Sequence, residues 1–225
     1  VSITAVGFVP AAPLLVPQVA GGSAQLDDEL RDACREVARR LVAVTDDAIT
    51  VVAPVASEAT WSPDATWGFE GFGVPRRPAD DRPRLPWPLG IGDWLLDDVA
   101  WTGTRHHLGV FGDGTASPAS SAGSAGGLLV VGDGTARRTE KAPGHLDERA
   151  EGLDATIAAA IRSGDVAGLG SLDASLATEL LCAGAPVWRW LMTVVAGRSV
   201  VEAELLSDTA PYGVGYFAGW WQLSG

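Results

Sequence analysis

Residues 48–55 read AITVVAPV. The run is apolar except at Thr50, is rich in β-branched residues, and reaches a proline at position 54. A short apolar run closed by a proline reads as a strand buried on both faces. Upstream, SITAVGFV (2–9) has the same character and leads into the proline-stiffened PAAPLLVP (10–17). Between the two runs the period changes. Leu26, Leu30, Ala33, Val37 and Leu41 recur at spacings of three and four, which predicts a helix over 23–44. Ser23 suits its N-cap, and Asp27, Asp28 and Glu29 suit the positive end of its dipole. Two apolar strands joined by an amphipathic helix form a βαβ unit, which implies a parallel pair.

Working outward, residues 56–88 are an irregular excursion rich in Pro and Trp. LGIGDWLLDDVAW (89–101) is a short helix, and HHLGVFGDG (106–114) is a strand and turn. Residues 114–127 are a Gly/Ala/Ser stretch expected to be a flexible connection. GLLVV (127–131) is another buried strand. Helices are expected over 146–162, about 173–182 and 186–197, with Pro186 in an acceptable first-turn position. SVVEAELLSD (199–208) alternates as a strand does, and YGVGYFAGWWQ (212–222) is a Gly-rich apolar strand. The expectation is one α/β domain over 1–225, with a central, largely parallel, mixed sheet flanked by helices.

Composition narrows the function. Hydrophobic residues make up 47% of the 225, enough for a substantial core. The formal charge is −12, which repels phosphate backbones and anionic membranes, so neither nucleic acid nor membrane is an expected partner. Arg76, Arg77, Arg82 and Arg84 form a local basic run, but interleaved prolines mark it as an extended solvated loop. Cys34 and Cys182 lie far apart with no CxxC, and read as buried reduced thiols of a cytoplasmic protein. The apolar segment 1–19 is broken by Pro10, Pro13 and Pro17, and reads as neither signal peptide nor membrane span. Nine Trp residues are expected first of all in core and pocket walls.

Few motifs carry chemistry. His106 and His107 are adjacent on a strand and so point to opposite faces, and His145 lies in a loop; these three are the fallback metal ligands. Gly132-Asp133-Gly134-Thr135 follows a strand, as an anion-binding loop does, and Arg137 and Arg138 follow it. It matches neither GxxxxGK[ST] nor GxGxxG, and GDGTA occurs again at 112 without a wider repeat. The plainer reading is a tight turn in which Asp133 bonds to its own loop. Ser57 and Glu58 are adjacent, but no GxSxG elbow exists. The pairs Asp27/Asp28, Asp80/Asp81 and Asp97/Asp98 read as helix or loop surface, and Arg189 between Trp188 and Trp190 as core.

Four segments together resemble the class III extradiol ring-cleavage dioxygenase superfamily, the LigB-like fold, which includes Memo-like proteins. Where that family has P-H-P-P-L-L after the first strand, this chain has Pro10-Ala11-Ala12-Pro13-Leu14-Leu15. Where it has S-P-H, the chain has Ala53-Pro54-Val55. Where it has G-D-L-S-H-R, the chain has Gly132-Asp133-Gly134-Thr135-Ala136-Arg137. The closing PYGVGYFAG (211–219) is also similar. The resemblance implies a pocket at the strand ends and, in active members, Fe(II) held by two His and a carboxylate, with a further His as acid/base. The matching positions here are Ala11, Val55 and Ala136, and near Ala185-Pro186 no acid stands at the carboxylate position. Alanine and valine neither coordinate iron nor carry a proton.

The expected protein is therefore a homologue without the family iron site and with no cofactor. It binds a small molecule or a protein at a pocket lined from Pro13, Ser57, Glu58, Asp133, Thr135, Arg137, Arg138 and Tyr212. Two alternatives stand beside it. One is an enzyme, either a dioxygenase with relocated ligands or a metal-free catalyst using Asp133 and Arg137. The other is a scaffold that assembles through the Trp-rich segment 61–101, with Trp67 and Trp87 as contacts. The resemblance also implies a homodimer.

Overall fold

Six strands form one open sheet in the order β3-β2-β4-β1-β6-β5 in this computed structural model. The structure describes residues 3–20, 28–56, 61–62, 64–75, 80–112 and 126–224. The strands are β1 (Ala5–Val9), β2 (Ala48–Pro54), β3 (Thr104–Val110), β4 (Gly127–Val131), β5 (Val200–Thr209) and β6 (Tyr216–Leu223). The first four run parallel; β6 is antiparallel to β1 and to β5. The sheet is thus mixed and largely parallel, as the apolar runs predict.

The βαβ expectation needs one correction. β1 and β2 point the same way but are not hydrogen-bonded neighbours. β4 lies between them, pairing Val6 with Leu128 on one side and Thr50 with Leu128 on the other. All five residues of GLLVV are buried, which suits a strand covered on both faces and both edges, but β1 is equally buried, so composition alone does not choose which of them lies between the others.

Alternation along the strands sorts the core into two layers. Ala5, Val9, Ile49, Val51, Leu129 and Val131 face the helices α2 (Asp28–Ala43) and α3 (Trp87–Asp98). Phe8, Val52, Leu128, Val130, Phe217 and Trp221 face α4 (Arg149–Ser163) and α7 (Ala185–Val195). The four-residue α1 (Pro17–Ala20) follows β1. α5 (Val166–Gly170) and α6 (Ala174–Glu179) connect the last two long helices, their first turns capped by Asp165 and Asp173. Trp188 packs edge-on to Phe217, and Trp221 to Phe8, with the Trp221 indole donating to the Ile161 carbonyl at 2.6 Å. Trp188 and Trp190 are both buried, so the WRW stretch is core, with Arg189 half-buried between them.

Element boundaries shift by small amounts. The first long helix is described from Asp28; Ser23, Leu26 and Asp27 lie outside the described residues. α3 starts at Trp87, inside the stretch expected to be irregular, because Pro86 and Pro88 preset its first turn. α4 starts at Arg149 rather than 146, and Asp147 accepts the Arg149 N–H at 3.0 Å just ahead of it. The Gly-punctuated turn before α6 contains the short α5. Most of the low-complexity stretch, 114–125, lies outside the described residues. No helix among the described residues is long and apolar enough to cross a membrane.

Candidate functional site

β1 and β4 are neighbours, but the chain leaves them in opposite directions. After β1 it crosses to the layer of α2; after β4 it crosses to the layer of α4. A crevice opens at the carboxyl ends of parallel strands where such connections diverge. Here it is a cavity of about 560 Å³. Ala11 comes from the end of β1, Val55 from β2, Val110 from β3 and Asp133 from β4. Trp61, the Pro86-Trp87-Pro88 start of α3 and Pro186 at the start of α7 complete most of the wall.

The wall is apolar apart from Asp133, its one ionisable side chain among the described residues. Asp133 Oδ1 accepts the Ala11 backbone N–H at 2.7 Å, so the acid ties the two diverging strand ends together. Burial among apolar groups disfavours its charged form, and that outweighs the Ala11 bond, leaving the carboxyl pushed up to about 7. The main chain beneath it is fixed from three sides. Gly132 N–H donates to Val9 at 2.9 Å, Gly184 N–H to Asp133 at 2.7 Å, and Gly134 N–H to Gly215 at 2.7 Å. Gly132 is required by close approach: a Cβ there would lie 2.7 Å from Gly184 Cα.

The rest of the loop turns away from the cavity. Thr135 is fully buried; its N–H and Oγ1 donate to the two carboxylate oxygens of Asp154 on α4, at 2.8 and 3.0 Å. Arg138 donates to the same carboxylate at 3.1 Å. Burial raises the Asp154 pKa, and the Thr135 and Arg138 bonds act against that rise. Asp154 is therefore a lock behind the loop. The Arg137 carbonyl accepts the Asp147 N–H at 3.0 Å, and its guanidinium adds to the Arg149 contacts that hold the Asp147 carboxyl down to about 2. Ala136 donates its N–H to Leu180 and accepts that of Gly144.

Of the residues expected at the site, Ala11, Val55 and Asp133 share the cavity. Thr135, Arg137 and Arg138 belong to the Asp154 and Asp147 surroundings instead. Pro13 opens a single 3₁₀ turn, and Tyr212 is exposed beyond β5. Ser57 and Glu58 lie outside the described residues. The wall also uses Trp61, Pro86 and Pro88, which no motif marked, and Pro186, which stands near the position that the resemblance gives to the carboxylate.

The fallback metal ligands diverge. His106 and His107 take opposite faces of β3; His107 is buried against Asp93, while His145 Nδ1 pairs with the Glu140 carbonyl at 2.8 Å. Among the described residues no three His, Cys, Asp or Glu side chains converge on one point. At the cavity itself the donor set among the described residues is one carboxylate beside Ala11 and Val55. That set does not fit the two-His, one-carboxylate iron centre that the resemblance implies. Cys34 and Cys182 are free and buried, and burial pushes both thiols well above their ordinary range.

A second cavity, of about 420 Å³, is polar. Asp93 on α3 is buried at its inner end, 3.2 Å from His107 Nε2 and 3.0 Å from the Arg105 guanidinium. Burial would raise the Asp93 pKa, but His107 and Arg105 together hold it below the usual carboxylate range. Asp97 completes the network with Arg105 at 2.7 Å and the Trp67 indole at 2.7 Å. Arg105 also donates to the Trp101 carbonyl at 2.7 Å, so the charged groups of this cluster pair with one another and tie α3 to β3, while the buried Trp101 indole N–H has no partner among the described residues. The Arg82 and Arg84 cations of the basic run are paired with Asp80, and Arg84 also with Glu70; Arg76 and Arg77 lie outside the described residues.

No protein-family model matches this chain, and no curated protein matches it.

Proposed function

We propose that this chain is a LigB-like homologue that has lost the family iron site and uses the strand-end cavity to bind a small, largely apolar ligand. The observation that carries the reading is the cavity's wall. Alanine, valine, proline and indole surround one carboxyl, an arrangement that buries an apolar body and fixes its orientation with a single polar contact. The position supports it too, because ligands of open α/β sheets bind where neighbouring connections diverge.

A titration with benzyl alcohol, followed by intrinsic tryptophan fluorescence, tests the reading. Trp61 and Trp87 are in the wall and report occupancy. Saturable quenching is expected in the native protein and its loss in Val55→Trp, which fills the cavity. Equal quenching in both would place the ligand elsewhere and sink the proposal.

A second reading is a metal-free enzyme. It is favoured by the placing of Asp133 in an apolar wall with the Ala11 N–H on its carboxylate, surroundings that push the carboxyl up to about 7, where a group exchanges protons most effectively at neutral pH. Arg137 has no place in that site, so Asp133 would act without it. Turnover of a bound compound that disappears in Asp133→Asn, with binding retained, distinguishes catalysis from simple binding.

A further inference from the structure

We propose that the ligand of the strand-end cavity is a small apolar organic cation, a primary amine on a hydrocarbon or aromatic body, whose ammonium pairs with Asp133. The inference rests on the ligand-binding reading above and narrows it to one chemical class.

Charge is the first argument. Asp133 is the only ionisable side chain among the described wall residues, and no Lys, Arg or His among them offers it a counter-ion. The Ala11 N–H bonds to Oδ1, and among the described residues no other hydrogen bond to the carboxylate is found. An acid enclosed by alanine, valine and proline gains most from a partner that brings a positive charge and donors together. An anionic ligand would instead meet a like charge in an apolar enclosure.

The wall supplies the second argument. Trp61 and Trp87 stand in the same cavity as the acid, and indole is the best side-chain partner for a cation. The remaining surface matches a hydrocarbon body. The field of the whole chain adds to this, since a net charge of −12 raises the local concentration of small cations.

The surroundings of Asp133 make its ionisation the controlling event. Tyr216 on β6 and Cys182 ahead of α7 face it, and burial pushes both well above their usual ranges, so they stay neutral near pH 7. Tyr212 lies beyond Tyr216. Asp154, behind the loop, is bonded to Thr135 and Arg138 and does not line the cavity. Amine affinity should therefore follow the Asp133 carboxylate and rise with pH until that group is ionised.

The test uses benzylamine, benzyl alcohol and benzoate, titrated by calorimetry into the full chain between about pH 5 and pH 8. The expected result at about pH 8 is benzylamine binding at least ~10-fold tighter than benzyl alcohol, with benzoate weakest. Below about pH 7 the amine should lose up to ~10-fold per pH unit, whereas benzyl alcohol should not follow that slope. Asp133→Asn should remove the amine preference and keep the alcohol. The pH series on the native protein stands alone if that variant does not fold. If benzyl alcohol binds as tightly as the amine, or benzoate binds best, the cation assignment is wrong and the cavity reading survives. If none of the three binds, both fall.

Discussion

The Asp133 carboxylate accepts the Ala11 backbone N–H at 2.7 Å across the gap between β4 and β1. With the Gly132 N–H bond to Val9, it joins the two strand ends at the point where their connections part to opposite faces of the sheet. The same acid is the only charge in the apolar wall among the described residues. It is at once a tie between strands and the polar anchor of the cavity.

Asp133 makes stability depend on pH in a defined direction. Its folded pKa, about 7, lies above the ordinary value of 3.8. A carboxyl raised on folding contributes fully below its unfolded pKa and loses that contribution as pH rises through the folded one. Asp133→Asn, which keeps an acceptor for Ala11 but never ionises, should be more stable than the native chain at about pH 8, by up to ~4 kcal/mol. The difference should vanish near pH 4. Urea midpoints at the two pH values measure it; a variant less stable at the higher pH would contradict the assignment.

Asp154 should behave oppositely to a surface acid. Its carboxylate takes three donors from Thr135 and Arg138 inside the core. Asp154→Ala strands those donors and should cost about 3 kcal/mol, with Asp154→Asn costing less because one acceptor oxygen remains. Chemical denaturation would show this, and a loss under ~1 kcal/mol for the alanine variant would remove the lock from the account.

The polar cluster sets the acid limb. His107 and Arg105 hold Asp93 below the usual carboxylate range, against its burial. A depressed carboxyl contributes stability above its unfolded pKa and loses it as pH falls through the folded one. Asp93→Asn should therefore lose about 2 kcal/mol at neutral pH, and the gap to the native chain should narrow below about pH 4. Thermal midpoints across that range decide it; a gap that stays constant would mean that the Asp93 charge is not the source.

How much of this was readable in the residues differs by level. The strands were legible because AITVVAPV, GLLVV and YFAGWW are continuous apolar runs that only a buried sheet accommodates. The insertion of β4 between β1 and β2 was not, because strand order is a tertiary choice between equally apolar partners. Ala11, Val55 and Asp133 could be placed at one site from their positions at strand ends, whereas Ala136, expected with Ala11 and Val55, does not line the cavity. Thr135 and Arg138 were misleading neighbours, since a loop sends successive side chains in different directions. Asp154 and Asp93 carry a signal in the sequence: each is an acid inside an apolar helical face, beside Leu153 and Ile157 or within LGIGDWLL. An acid there requires a buried partner.

Backbone proximity at the cavity floor gives a packing test. Gly132→Ala would place its Cβ 2.7 Å from Gly184 Cα, a main-chain atom that cannot swing aside. The cost should be about 2 kcal/mol. Gly71→Ala, where a Cβ meets nothing within 4 Å, should change stability by less than ~0.5 kcal/mol. Equal effects in the two variants would show that the strand ends are not as closely packed as described.

The central claim is that the strand-end cavity is a ligand site anchored on Asp133. Co-crystallisation with benzylamine tests it most directly. The account predicts ordered density for the ring between Trp61, Val55 and Pro186, with the nitrogen within hydrogen-bond distance of Asp133. A cavity free of benzylamine, with the ligand ordered elsewhere on the protein, would contradict it.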